Sequence, residues 1–124
     1  MVCLGAIAGG SVLSSCAKVY YAQYSVENNS IKIAKSEFEE RSAVVVKDDR
    51  LPAPIYLLKE DESYSAVLML CTHKECEVAP FGQELHCPCH GSEFTNKGKV
   101  LTGPAEEDLK KFKVTTNDTF IFIA

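Results

Sequence analysis

The sequence has no basic cluster. Its 13 Lys and Arg are outnumbered by 17 Asp and Glu, for a net charge of −4. Phosphate binding draws its affinity from clustered cations, so nucleic acid is excluded as a partner. Internal repeats and low-complexity stretches are absent, and only residues 106–111 have helical composition, over a span too short for a helix to carry a core. The 124 residues leave room for one compact domain and a short extra segment, without a second catalytic domain. At 46% hydrophobic and 24% charged residues, the composition fits neither wholesale disorder nor a multi-spanning membrane protein.

Charge is also missing from residues 1–17, where Lys18 is the first charged side chain. Gly5, Gly9, Gly10, Ser11, Ser14 and Ser15 dilute this run below what a spanning helix of about 20 apolar residues needs. It reads as the apolar part of an export signal, residues 1–16, although no basic residue precedes it. Its end, Leu13, Ser14, Ser15 and Cys16, resembles the lipobox of bacterial lipoproteins, in which the cysteine is lipidated. That places Cys16 as the lipidation site and Cys3 in the discarded signal; an uncleaved, weakly hydrophobic anchor is the alternative. Residues 17–29 are polar, carry Tyr20, Tyr21 and Tyr24, and show no sustained period. They are expected to form a tether, which at about 13 residues could reach roughly 45 Å.

From Ser30 onward the pattern is strand and turn. Ile31 and Ile33 alternate around Lys32; Ala43 to Val46 and Ile55 to Leu58 are continuous apolar runs; another covers Ala66 to Met69. After the cysteine-rich region, Lys99 to Leu101 form a further strand. Phe112 to Thr115 and Thr119 to Ile123 flank Asn117 and Asp118 as a terminal hairpin. The fold class is therefore all-β, over residues 30–124, in a domain small enough to benefit from covalent or metal cross-links.

There are six cysteines, four of them within residues 71–90, where all three histidines also lie. Two blocks carry them: Cys71, Thr72, His73, Lys74, Glu75, Cys76, and Cys87, Pro88, Cys89, His90, Gly91, Ser92. Each offers one thiolate and one imidazole to a shared metal site, Cys71 with His73 and Cys87 with His90. One cysteine remains in each block, Cys76 and Cys89, and in an oxidising compartment such a pair can form a disulfide that clamps the loops. A zinc site could use the same four ligands, but the C-x2-C pairs of zinc ribbons are absent. The second block is one residue short of the C-x-x-C-H haem motif, and a thiol nucleophile with a histidine base would leave the paired pattern unexplained. His86 falls outside both blocks and reads as a strand or surface residue. Glu106, Glu107 and Asp108 read as a solvated face that could also dock a basic partner.

The two blocks resemble the cluster-binding boxes of Rieske iron–sulfur proteins, C-T-H-x-G-C and C-P-C-H-G-S, in the right order. The resemblance implies an antiparallel β-sandwich or barrel with both cluster-binding loops at one end, and a [2Fe–2S] cofactor. It implies that Cys71 and Cys87 ligate one iron and His73 and His90 the other, that Cys76 and Cys89 form a disulfide, and that the Ser92 hydroxyl bonds a bridging sulfide. Gly103, Pro104 and Ala105 resemble the proline loop that covers the cluster. Imidazole ligation raises the potential to between about −150 and +300 mV, above that of all-cysteine plant-type ferredoxins. Three positions depart from the pattern: Glu75 replaces the usual Gly, Lys74 an apolar residue, and Phe94 a Tyr that donates to a ligand sulfur. Without that donor, the potential is expected to lie below that of quinol-oxidising members.

The resemblance implies one-electron transfer as a subunit of an exported, membrane-associated oxidoreductase rather than a self-contained enzyme. Its partner would be a redox protein or a membrane oxidoreductase complex, with quinol as a candidate reductant. The lipobox places it on the periplasmic side of a bacterial membrane, held there by the N-terminal lipid or anchor. The alternative is a free Rieske-type ferredoxin serving an oxygenase, against which the Cys76 and Cys89 pair and the lipobox argue.

Overall fold

The structure, a computed structural model, describes residues 19–124. The expected export signal, with Cys3 and the Cys16 lipidation site, lies outside the described residues.

The described residues form twelve short strands in three four-stranded antiparallel sheets. The first sheet holds β1 (Ser25–Glu27), β2 (Ser30–Ala34), β12 (Phe120–Ile123) and β11 (Val114–Thr116), in that order. The second runs β10 (Lys111–Phe112), β5 (Ser63–Leu68), β4 (Ile55–Glu60) and β3 (Ala43–Val46). The third runs β6 (Ala79–Phe81), β7 (Glu84–His86), β8 (Glu93–Thr95) and β9 (Val100–Thr102). Among the described residues, the helical element is one 3-10 turn, Lys35–Phe38, and no helix is long and apolar enough to cross a membrane.

The apolar runs explain the layering. A strand buried on one face alternates, as β2 and β12 do; a strand covered on both faces reads as continuous apolar sequence. In β4 the side chains divide accordingly. Ile55 and Leu57 join Ile31, Ile33, Ile121 and Ile123 in a core against the first sheet. Tyr56 and Leu58 join Val67, Leu85 and Phe94 in a second core that supports the third sheet. The middle sheet is thus the shared wall, and each fully buried Ile or Leu contributes about 1.5–3 kcal/mol to holding the layers. Cys71 and Cys87 belong to the second core, so the expected metal site grows directly from packed interior.

The segment expected as a tether is largely part of the domain. Val45 N–H donates to the Tyr20 carbonyl at 2.8 Å and Ala22 N–H to the Val45 carbonyl at 2.9 Å, while Ala22 is 8% exposed. The segment covers the open edge of β3, whose backbone groups would otherwise face solvent. Two backbone bonds need no side-chain period, which is why the sequence pattern missed them. Asn28 and Asn29, at φ 51° and 68°, make the two-residue turn from β1 to β2. Asn is among the residues that best tolerate this left-handed region, so the pair reads as a hairpin turn. The 106–111 stretch forms no helix: Asp108 accepts Val100 N–H at 2.9 Å and buried Leu109 anchors the stretch to the second core.

Candidate metal centre

The two blocks fold as matching loops. In the first, Cys71 N–H donates to the Cys76 carbonyl at 2.7 Å and Glu75 N–H to the Cys71 carbonyl at 2.8 Å. In the second, Cys87 N–H donates to the Ser92 carbonyl at 2.8 Å and Gly91 N–H to the Cys87 carbonyl at 3.0 Å. Each loop turns through a left-handed residue at its fifth position, Glu75 at φ 60° and Gly91 at φ 83°. The first loop is closed at its base by the Leu70–Glu77 bridge, the second by the His86–Glu93 pair of β7 and β8.

This geometry separates the donors by solvent access. Cys71 and Cys87 are 1% and 2% exposed, whereas His73 and His90 are exposed, with ring centroids 5.1 Å apart in an edge-on arrangement. Cys76 and Cys89 are joined as a disulfide, with Cα atoms 6.4 Å apart, which ties one loop to the other. The Cys87 sulfur lies within 4.8 Å of both disulfide sulfurs.

Burial pushes the Cys71 thiol up, but the amides of His73 and Lys74, the Cys87 side chain and the Ser92 hydroxyl outweigh it and hold the thiol below the ordinary cysteine value. Groups that favour the thiolate also favour metal binding, because the thiolate is the form that ligates a metal. Ser92, with none of its surface exposed, also accepts the Ala105 N–H at 2.9 Å. Across the tip, Thr72 Oγ1 donates to the Glu107 carbonyl at 2.7 Å. The 103–107 segment is thereby pinned to both loops. Thr72, His73, Pro104, Glu106 and Glu107 line an open cleft of about 480 Å³ beside the His73 ring.

The structure thus brings all five expected cofactor residues and the expected disulfide pair to one end of the third sheet. Two buried thiols and two exposed imidazoles suit a site whose irons differ in ligand softness. Phe94 is fully buried on β8, opposite Leu85, in the same core as Cys71 and Cys87. His86 lies apart from this site, on β7, paired with Glu84. Sequence reasoning missed Thr72 and the Ala105 amide, because a backbone donor has no sequence signature and one threonine between two expected ligands draws no notice.

The profile of the Rieske [2Fe-2S] domain family matches residues 24–113. Iron–sulfur subunit 1 of the cytochrome b6-f complex from Synechocystis sp. is 42% identical over 76 residues, which are 57% of this chain and 43% of that one. The cytochrome b6-f iron–sulfur subunit from Chlorobaculum tepidum is 33% identical over 72 residues, 56% of this chain and 40% of that one. The chain therefore spans less than half the length of these relatives. Among solved structures, the plasma membrane Rieske protein PetC3 from Synechocystis superimposes with a TM-score of 0.62 at 27% identity, covering 73% of this chain and 94% of that one. The ferredoxin of carbazole 1,9a-dioxygenase from Nocardioides aromaticivorans shares the fold at 18% identity, with a TM-score of 0.54 over 73% of this chain and 91% of that one. Matched loops, a clamping disulfide and a family profile that spans most of the sequence lead to one assignment: this chain belongs to the Rieske [2Fe–2S] domain family.

Proposed function

We propose that the chain passes single electrons between redox partners as the exposed iron–sulfur subunit of a membrane-associated oxidoreductase of the cytochrome b6-f kind. The observation that carries this reading is the division of the site: thiols sealed in the core, imidazole edges open at the tip beside a cleft. Cys71 and Cys87 would hold one iron, His73 and His90 the other. When bound, the [2Fe–2S] cluster supplies a one-electron couple that gains one negative charge on reduction.

The chain's own groups are set to accommodate that charge. The His73 and Lys74 amides, the Cys87 side chain and the Ser92 hydroxyl all favour the charged form of Cys71, and hydrogen bonds to a charged group are roughly twice as strong as neutral ones. On each imidazole, the second ring nitrogen can offer its N–H to a partner at the open tip, which suits a hydroquinone that must lose a proton and an electron together. The 103–107 segment covers one side of the site and limits water there, while the cleft beside His73 leaves an approach for the partner.

The reading places the chain on the periplasmic side of a bacterial membrane, held by the lipid or anchor expected in residues 1–16. The cytochrome b6-f relatives support an assembly of this kind, and the disulfide favours it over the free ferredoxin reading, because such a bond persists in oxidising compartments. Electron paramagnetic resonance of the dithionite-reduced protein tests the cluster: a Rieske-type signal is expected, and its absence from iron-replete protein overturns the ligand set. Co-purification with a b-type cytochrome from native membranes tests the assembly; recovery as a free soluble protein favours the ferredoxin alternative.

A further inference from the structure

The β7–β8 hairpin carries a second set of metal-binding side chains, directly below the 87–92 loop. The donor atoms of Glu84, His86 and Glu93 all lie within 4.8 Å of one another. His86 Nε2 is 2.8 Å from Glu84 Oε1 and 4.0 Å from Glu93 Oε2. Strand geometry puts them together: Glu84 and His86 are two residues apart and share a face of β7, and Glu93 is the register partner of His86 on β8.

The neighbouring strands hold these groups in place. The Phe81 ring on β6 stacks on His86, with centroids 4.6 Å apart and planes at 27°, which fixes the imidazole plane. Thr102 on β9 donates to Glu93 Oε1 at 3.1 Å and leaves Oε2 on the His86 side. Orienting contacts of this type are what ligating carboxylates and imidazoles require. Neighbouring donors around tetrahedral zinc sit about 3.3–3.6 Å apart, given metal–donor bonds of about 2.0–2.2 Å. The observed 2.8 and 4.0 Å bracket that separation. Side-chain exposures of 43%, 28% and 39% for Glu84, His86 and Glu93 leave open positions for water ligands.

We propose that Glu84, His86 and Glu93 bind one divalent cation of the zinc class, which staples the neck of the 87–92 loop. His86 and Glu93 are the last strand pair before that loop; Cys87 follows one and Ser92 precedes the other. The bound ion replaces the Nε2 proton that Glu84 accepts in its absence, and it joins β7 to β8 where the two backbones otherwise meet through Cys87 N–H and the Ser92 carbonyl. Imidazole with two carboxylates favours zinc, nickel or copper over magnesium and calcium.

The test uses the full-length protein with its cluster in place. Calorimetric titration with Zn²⁺ should show one saturable site, weakened at least tenfold by Glu84→Gln and by Glu93→Gln, with the cluster's resonance signal retained at full amplitude in both variants. One equivalent of Zn²⁺ should lengthen the half-time of thermal cluster loss several-fold in the unaltered protein and leave it unchanged in Glu93→Gln. In the unaltered protein, one equivalent of Ni²⁺ should also speed spin relaxation of the reduced cluster, a readout that requires no variant to fold. Absence of saturable binding, undiminished affinity in Glu84→Gln and Glu93→Gln, or unchanged relaxation with Ni²⁺ would overturn the site. Binding without longer cluster retention would overturn the staple.

Discussion

Ser92 accepts the Ala105 N–H at 2.9 Å, and its hydroxyl also helps hold the Cys71 thiol below its ordinary value. One buried side chain therefore holds the covering segment and adds positive potential where reduction adds negative charge. Ser92→Ala removes both and leaves a buried amide unpaired, at about 1–3 kcal/mol. The reduction potential should fall by roughly tens of millivolts and up to about 100 mV, since about 1 kcal/mol corresponds to roughly 40 mV for one electron. Thr72→Val is the control. It frees the same segment at the Glu107 carbonyl, with a much smaller effect on potential. Voltammetry of the two variants separates the roles, and equal shifts would show that Ser92 acts only through the segment.

Phe94 occupies a fully buried position in the core that holds Cys71 and Cys87. Phe94→Tyr adds a phenol O–H, and if it reaches a cluster sulfur the potential should rise by roughly tens of millivolts. A buried hydroxyl without an acceptor would instead lower the unfolding midpoint and leave the potential unchanged. Measuring both quantities on the same preparation distinguishes these outcomes.

The Cys76–Cys89 disulfide bridges a sequence separation of 13 and joins the two loops. Closing a loop of this size removes about 3 kcal/mol of unfolded-state freedom. The double variant Cys76→Ser, Cys89→Ser should lower the cluster-bleaching temperature by about 10 °C or more. Visible absorbance during heating reads this directly, and an unchanged midpoint would show that the packed core alone holds the loops.

Much of this architecture is legible in sequence because its signals are local. The unbroken apolar runs Ala43 to Val46 and Ile55 to Leu58 mark strands covered on both faces, and the middle sheet is buried in that way. Each cysteine and histidine block lies on a single loop, so spacing gathers the residues within a block, and the resemblance to the Rieske boxes joins the two blocks. The misses are long-range or backbone events. Val45 meets Tyr20 and Ala22 through main-chain bonds that any residues could make. His86 and Glu93 become neighbours only through the β7–β8 register. The change of sheet between Phe112 and Val114 also falls inside what reads as one strand.

Glu75 and Gly91 occupy equivalent turns at φ 60° and 83°, and substitutions there should act in opposite directions. A non-glycine residue in the left-handed region carries about 1–2 kcal/mol of strain. Glu75→Gly relieves it but frees the unfolded chain by about 0.4–1 kcal/mol, for a net gain of up to about 1.6 kcal/mol. Gly91→Ala meets no atom within 4 Å of the new Cβ. Its loss, on the order of 1 kcal/mol, would come from φ alone. Urea unfolding of both variants measures the contrast, and a destabilised Glu75→Gly would show that its side chain contributes contacts of its own.

Asp48 lies two residues past the end of β3, with its side chain 5% exposed. The Arg50 side chain and amide donate to its carboxylate and hold its pKa at about 2. A carboxylate depressed in the folded state stabilises the fold fully above its ordinary value near 4, and that contribution fades as pH falls toward 2. Asp48→Asn should therefore have a lower urea midpoint than the unaltered protein at pH 7, by the same margin at pH 5. The gap should close between pH 4 and pH 2. Any acid lability of the cluster affects both proteins alike and cancels in the difference, so a gap that persists unchanged to pH 2 would assign the loss to packing rather than to the carboxylate charge.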